Sequence, residues 1–176
     1  MKFDWVDKCR YLGVFFISGR QFRCSFDNAK CKLFTSFNSI FSKVGRFASE
    51  EVVINLLRTK CIPCLLYCVE ACPFFQHDKH SFDFSLTRIF MKLFHTGSAA
   101  TVSECQKQFS FLPLKYQVDI RSACFMLRFM ATDKSICNLF LSQATRSLDS
   151  LYARYGDAVN SISSLKAAVY KEFFDI

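Results

Sequence analysis

Glycine and proline are scarce, five and three in 176 residues. That excludes collagen-like and low-complexity chains, and no long flexible linker divides the sequence. The glycines, at 13, 19, 45, 97 and 156, are too scattered to make a phosphate-cradling loop. Histidine is as rare as proline: His77, His80 and His95 have no nucleophile spaced to use them as bases. No uninterrupted apolar run approaches the roughly 18–20 residues of a membrane span. The longest covers residues 62–69, so no membrane partner is expected. Acids number 15 against 23 lysines and arginines. No two carboxylates sit on a strand–turn–strand where they could hold a metal pair, and Asp4 and Asp7 precede the first strand pattern. No catalytic residue, metal site or cofactor is therefore expected.

What is present is apolar and aromatic. Half the residues are hydrophobic and 22 are phenylalanine, which excludes intrinsic disorder. A chain this long buries roughly two thirds of its unfolded surface. Ten cysteines would suit a secreted disulfide framework only behind a removable leader. Residues 1–19 make a poor one, with Asp4 and Asp7 where only bases belong and a short apolar part over 11–17. The cysteines are thus expected to be reduced, small apolar core residues of an intracellular protein. Cys61, Cys64, Cys68 and Cys72 fall on one helical stripe, and the opening C-x-x-C resembles half a zinc site. On a straight helix Cys61 and Cys72 lie about 16 Å apart, too far for one ion. Zinc binding through Cys61, Cys64 and the nearby histidines is a lesser alternative.

The net charge of +8 is unevenly placed. Residues 8–46 carry eight bases and one acid, Asp27. Such asymmetry points to a polyanionic partner, usually nucleic acid. Arg10, Arg20, Arg23 and Lys32 are candidate phosphate contacts, with Lys30, Lys43 and Arg46 further along. Tyr11, Phe15, Phe16 and Phe22 are interleaved with them, for base or sugar packing or for the core.

The pattern predicts a mainly α chain: an N-terminal β-hairpin followed by about six or seven helices. The hairpin covers 10–26, with Ser18-Gly19 as its turn. Phe26, Ala29, Leu33, Phe37, Ile40, Phe41 and Val44 then share one helical face. Ser25 or Asp27 can cap that helix, and Gly45 stands where a left-handed C′ glycine belongs. Ser49 starts a second helix that Pro63 should kink or interrupt. A third covers 81–94, with His77-Asp78-Lys79-His80 as a polar loop before it. Thr101 to Glu104 reads as a capping box. Pro113 opens a helix to about 131, and shorter helices follow near 135–142, 145–155 and 163–174.

Short motifs in the same order resemble a known family. Tyr11-Leu12-Gly13-Val14, after Lys8 and Arg10, resembles an element of the reverse transcriptases of LINE-type, non-LTR retrotransposons. In that family it forms a primer-grip-like hairpin just after the catalytic palm. Phe26-Asp27-Asn28-Ala29-Lys30, Val44-Gly45-Arg46, Leu56-Leu57-Arg58-Thr59-Lys60-Cys61-Ile62-Pro63 and the stretch from Leu65-Leu66-Tyr67 through Glu70-Ala71-Cys72 resemble its thumb. Arg88-Ile89-Phe90 and Gly97-Ser98-Ala99-Ala100 resemble the segment after the thumb. The family's glycine following the tyrosine is Cys68 here, and glycine at such a place implies an unusual backbone angle or close packing.

The resemblance implies three regions: 1–26 as the hairpin ending a palm, 27–131 as a helical thumb-like bundle, and 132–176 as a helical extension. It adds Tyr11, Leu12 and Gly13 to the candidate nucleic-acid-binding residues. The family's palm aspartates, which hold Mg²⁺, have no counterpart in these residues. The implied function is a polymerase fragment without catalysis of its own, which grips an RNA–DNA or DNA duplex non-specifically and can meet the family's palm and fingers. The main alternative is a truncated remnant or interaction module exposing apolar surface.

Overall fold

The structure, a computed structural model, describes residues 6–45, 47–156 and 159–174. It is mainly helical behind a small N-terminal sheet, as the pattern predicts. That sheet has three antiparallel strands, β1 (Lys8–Tyr11), β2 (Val14–Ile17) and β3 (Arg23–Ser25), in the order β1-β2-β3. The sequence pattern predicts one strand running up to a turn at Ser18-Gly19. Instead Leu12 and Gly13 form a two-residue turn with φ of 47° and 84°. Both angles belong to a type I′ turn, whose twist matches the flanking strands. The expected bend at Ser18-Gly19 falls within the longer β2–β3 connection, and Phe26 lies just past the strand at the helix start.

Helix α1 (Asp27–Val44) buries Leu33 and Phe37 on the predicted face. Phe26 stands at the N-cap and makes no side-chain bond; the Ser25 hydroxyl accepts the Asp27 N–H at 3.4 Å and donates to the Asp27 carboxylate at 2.9 Å. Gly45 is not left-handed, with φ of −63°. Glycine is needed there because a Cβ would lie 2.5 Å from the Phe41 carbonyl oxygen and 2.7 Å from its ring.

Helix α2 (Glu50–Leu56) passes without a break into a π turn over Leu57–Cys61 and then α3 (Ile62–Leu65). In the π turn the Ile62 N–H reaches back five residues to the Leu57 carbonyl. Pro63 lacks an N–H, and its ring crowds the carbonyl four residues earlier. One wider turn relieves that crowding, so the chain bulges where a kink was expected. Averaged over an 18-residue window rather than as an unbroken run, Glu50–Ala71 is long and apolar enough to cross a membrane. Within it Val53, Ile54, Leu57, Cys61, Ile62 and Leu65 are buried in the protein core.

Helix α4 (Gln76–Leu93) starts five residues before the predicted point, so residues 77–80 are helical and not a loop. The Asp78 carboxylate accepts the Phe75 N–H at 3.0 Å and anchors this early start. Its Phe82 meets Phe26 and Phe74 edge-on, with ring centroids 5.0–5.5 Å apart among the three. The buried Phe26 and Phe82 rings each contribute about 1.5–3 kcal/mol through burial. In α5 (Ala99–Gln108) the capping residue is Ser98, whose hydroxyl accepts the Thr101 N–H at 3.3 Å, not Thr101 itself.

The chain divides into two compact units, residues 1–105 and 106–176. The second holds α6 (Leu114–Met130), α7 (Ser135–Asn138), α8 (Leu141–Ala153) and α9 (Ile162–Phe174). Pro113 precedes α6 rather than forming its first residue. The core of this unit is made by Tyr116, Ala123, Leu148, Leu151, Leu165, Val169 and Phe173. Asp119 is buried there, accepting from the Tyr155 hydroxyl at 2.7 Å and from Arg154 at 3.3 Å.

Candidate nucleic-acid interface

Strand alternation sorts the N-terminal residues by face. Lys8 pairs with Ile17, Arg10 with Phe15, and Ile17 with Arg23. Lys8, Arg10, Phe15, Ile17 and Arg23 therefore share one face of the sheet. On it the Lys8 ammonium lies 4.6 Å and the Arg10 guanidinium 5.8 Å from the Phe15 ring centroid. The three bases are exposed, while Phe15 is half-buried between them. Lys8 escaped the list of candidates, although the alternation of its neighbours would have placed it beside Arg10. Cys9, Tyr11, Val14, Phe16 and Cys24 share the other face, where the Tyr11 and Phe22 rings lie 6.5 and 5.4 Å from that of Phe16.

Tyr67, just past α3, fixes the type I′ turn. Its hydroxyl donates to the Leu12 carbonyl at 3.2 Å, and its ring edge lies 3.6 Å from where a Cβ on Gly13 would stand. Gly13, Tyr67 and Lys32 line a depression of about 30 Å³, room for little more than a water. Lys32 thus stands next to the turn. Lys43 is eleven residues on, so it lies on nearly the same line of α1, about 16 Å further along the axis. Asn28, Ser36 and Ser39 lie along that line, and Asp27 is the helix's one acid. Both lysines are exposed.

Lys30 and Arg20 are placed less favourably. Lys30 is half-buried, pairing with Asp27 at 3.0 Å and donating to the Ser81 hydroxyl at 3.0 Å. The Lys30 ammonium, helped by the Ser25 hydroxyl, holds the Asp27 carboxyl below its usual range. Lys30 is committed to the fold. Arg20 lies in the β2–β3 connection, at the opposite end of the hairpin from Leu12 and Gly13. Arg23 lies 5.7 Å from the Phe75 ring centroid. Arg46 lies outside the described residues.

The cysteine stripe is broken by the π turn, which rotates the residues after it. Cys61 is buried and Cys64 exposed, its thiol donating to the Lys60 carbonyl at 3.4 Å. Burial pushes the Cys61 thiol up to about 11 and the Cys72 thiol, with Cys24 beside it, up to about 12. Both stay protonated at neutral pH, unsuited to act as nucleophiles. Among the described residues no group of three His, Cys, Asp or Glu could hold a metal ion. Cys68 has φ of 59°, a left-handed conformation that a non-glycine residue adopts at a cost.

No protein-family model, curated protein or solved structure matches the chain.

Proposed function

We propose that residues 8–105 act as the duplex-gripping part of a non-LTR retrotransposon reverse transcriptase, a primer-grip-like hairpin on a helical thumb, without polymerase chemistry of its own. The observation that carries this reading is Cys68. The family's glycine falls at Cys68, just past α3, whose φ of 59° is left-handed, where glycine is the unstrained residue. Two motifs quoted for the resemblance also meet there, since Tyr67 of the thumb-like run bonds to Leu12 of the hairpin turn. Function follows from charge. The Lys8–Arg10–Arg23 face and the Lys32–Lys43 line offer five exposed cations to phosphates, which give affinity without reading sequence. The face holds bases and aromatic carbon rather than the carboxylates two-metal phosphoryl transfer needs.

The test is fluorescence anisotropy with an RNA–DNA and a DNA duplex. Charge reversal at Arg10, Arg23 and Lys32 should abolish binding, whereas Lys30→Gln, which removes a lysine already bound to Asp27, should change it little. Undiminished binding by the triple variant refutes the assignment, and so does template-dependent primer extension by this chain for its non-catalytic part. The competing reading, an interaction module, draws on Phe47, Leu12, Phe84 and Phe22, which are 91%, 70%, 66% and 60% exposed. It requires self-association that rises with salt, and no duplex binding.

A further inference from the structure

Arg88-Ile89 and Gly97 were singled out in the sequence, yet the sheet and α1 line do not use them. They meet at a groove of about 560 Å³ between α1, α4 and the residues after α4, within the first unit. That volume falls in the range of small-molecule sites. We propose that this groove is a nucleotide subsite, taking a phosphate between Arg88 and Lys92 and a base against Phe34.

The walls supply each part of that chemistry. Arg88 and Lys92 are one turn apart on α4, both exposed, so their charges converge on one rim. A guanidinium fork beside an ammonium suits a phosphate's oxygens. Among the described residues no carboxylate lines the groove to compete. Lys92 also donates to the Asn38 side-chain oxygen at 2.8 Å, which orients that amide and leaves its NH₂ to donate to a base edge. The floor is apolar: Ile89 and Phe37 are buried, and the half-buried Phe34 leaves part of its ring to the groove. An aromatic face beside a cationic rim is the arrangement on which bases stack regardless of sequence.

The far wall is held by backbone. His95 is left-handed, with φ of 51°, and the Thr96 N–H reaches back to the Met91 carbonyl at 3.0 Å. This Schellman closure ends α4 and brings Thr96 to the groove. Gly97 leaves that side open, since a Cβ there would meet nothing within 4 Å. The two bases stand on the last turns of α4, where they offset the negative helix end that would repel an anion.

The source of the nucleotide, free or within a strand, is separated by the probes. The full 176-residue chain is titrated calorimetrically with adenosine monophosphate, with decathymidylate and with inorganic phosphate. The monophosphate should bind more tightly than inorganic phosphate. Arg88→Glu, at an exposed position, should weaken it about tenfold. Phe34→Leu should weaken the monophosphate and not inorganic phosphate. Decathymidylate binding above the monophosphate assigns a strand; the reverse order assigns a free nucleotide. Reversing Arg10 and Arg23 should remove duplex binding and leave the monophosphate untouched, so the two assignments fail separately. No monophosphate binding, or wild-type affinity in both Arg88→Glu and Phe34→Leu with unchanged thermal melts, overturns the proposal.

Discussion

Among the described residues four non-glycine ones have positive φ, and each sits where the chain must turn sharply: Leu12 in the hairpin, Cys68 after α3, His95 after α4 and Ser110 after α5. An L side chain in that region costs about 1–2 kcal/mol, because Cβ crowds the following carbonyl. Such a residue persists only where its surroundings over-determine the backbone. At Leu12 the surroundings are the two-residue turn and the Tyr67 hydrogen bond. At Cys68 they are the passage from α3 into a short 3₁₀ turn over Val69–Ala71, with Val69 buried. Cys68→Gly should therefore raise the free energy of unfolding by about 0.5–1 kcal/mol, the relief of strain less the added freedom of the unfolded chain. Cys68→Ala keeps the Cβ and should give no such gain. Urea titration of both variants reads the difference. A Cys68→Gly variant no more stable than Cys68→Ala would mean that φ at this position carries no strain.

Elements were legible where one period ran uninterrupted. Residues 26–44 repeat apolar side chains on one face, and α1 lies there to within a residue. Boundaries set by a single local bond were not. The start of α4 depends on Asp78 reaching the Phe75 N–H, in a polar stretch with no apolar period to mark it. The bulge before Pro63 was half visible, since proline forbids a regular turn but does not say whether the helix kinks or widens. The candidate interface was legible as composition and not as geometry. Counting bases marks a basic segment, whereas only strand register shows that Lys8, Arg10 and Arg23 share a face, and only tertiary packing commits Lys30 to Asp27 and Ser81. The link between α6 and the residues after α8 was invisible, because nothing in the pattern pairs Asp119 with Tyr155. Burial first, and then the hydrogen bond to Asp119, drives the Tyr155 hydroxyl far above its usual range. A raised pKa stabilises the fold while the phenol is protonated in both states. That contribution is whole below about pH 10 and declines above it, as the unfolded chain begins to lose the proton. Thermal midpoints should thus fall as pH rises from 9 towards 11, and Tyr155→Phe should flatten the fall. An identical pH profile in the variant would remove Tyr155 as its source.

For the whole molecule, charge and apolar surface make opposite demands. A net +8 keeps copies apart and draws in polyanions, while exposed rings such as Phe47 and Phe84 favour association. Salt decides between them, because it screens the first and strengthens the second. If the Lys8, Arg10, Arg23 and Lys32 side chains each neutralise one phosphate of a DNA duplex, log K should fall against log salt with a slope of about −3.6. Between 50 and 200 mM salt that is a loss of roughly 150-fold in affinity. Each charge removed from the set should flatten the slope by about 0.9, and Lys43→Gln tests whether the α1 line extends the footprint to a fifth contact. Anisotropy titrations at four salt concentrations, with sedimentation velocity on the same samples, separate the two behaviours. A slope near zero with sedimentation showing dimers or larger species would leave the cations as ordinary solvated surface and make the exposed rings the functional face.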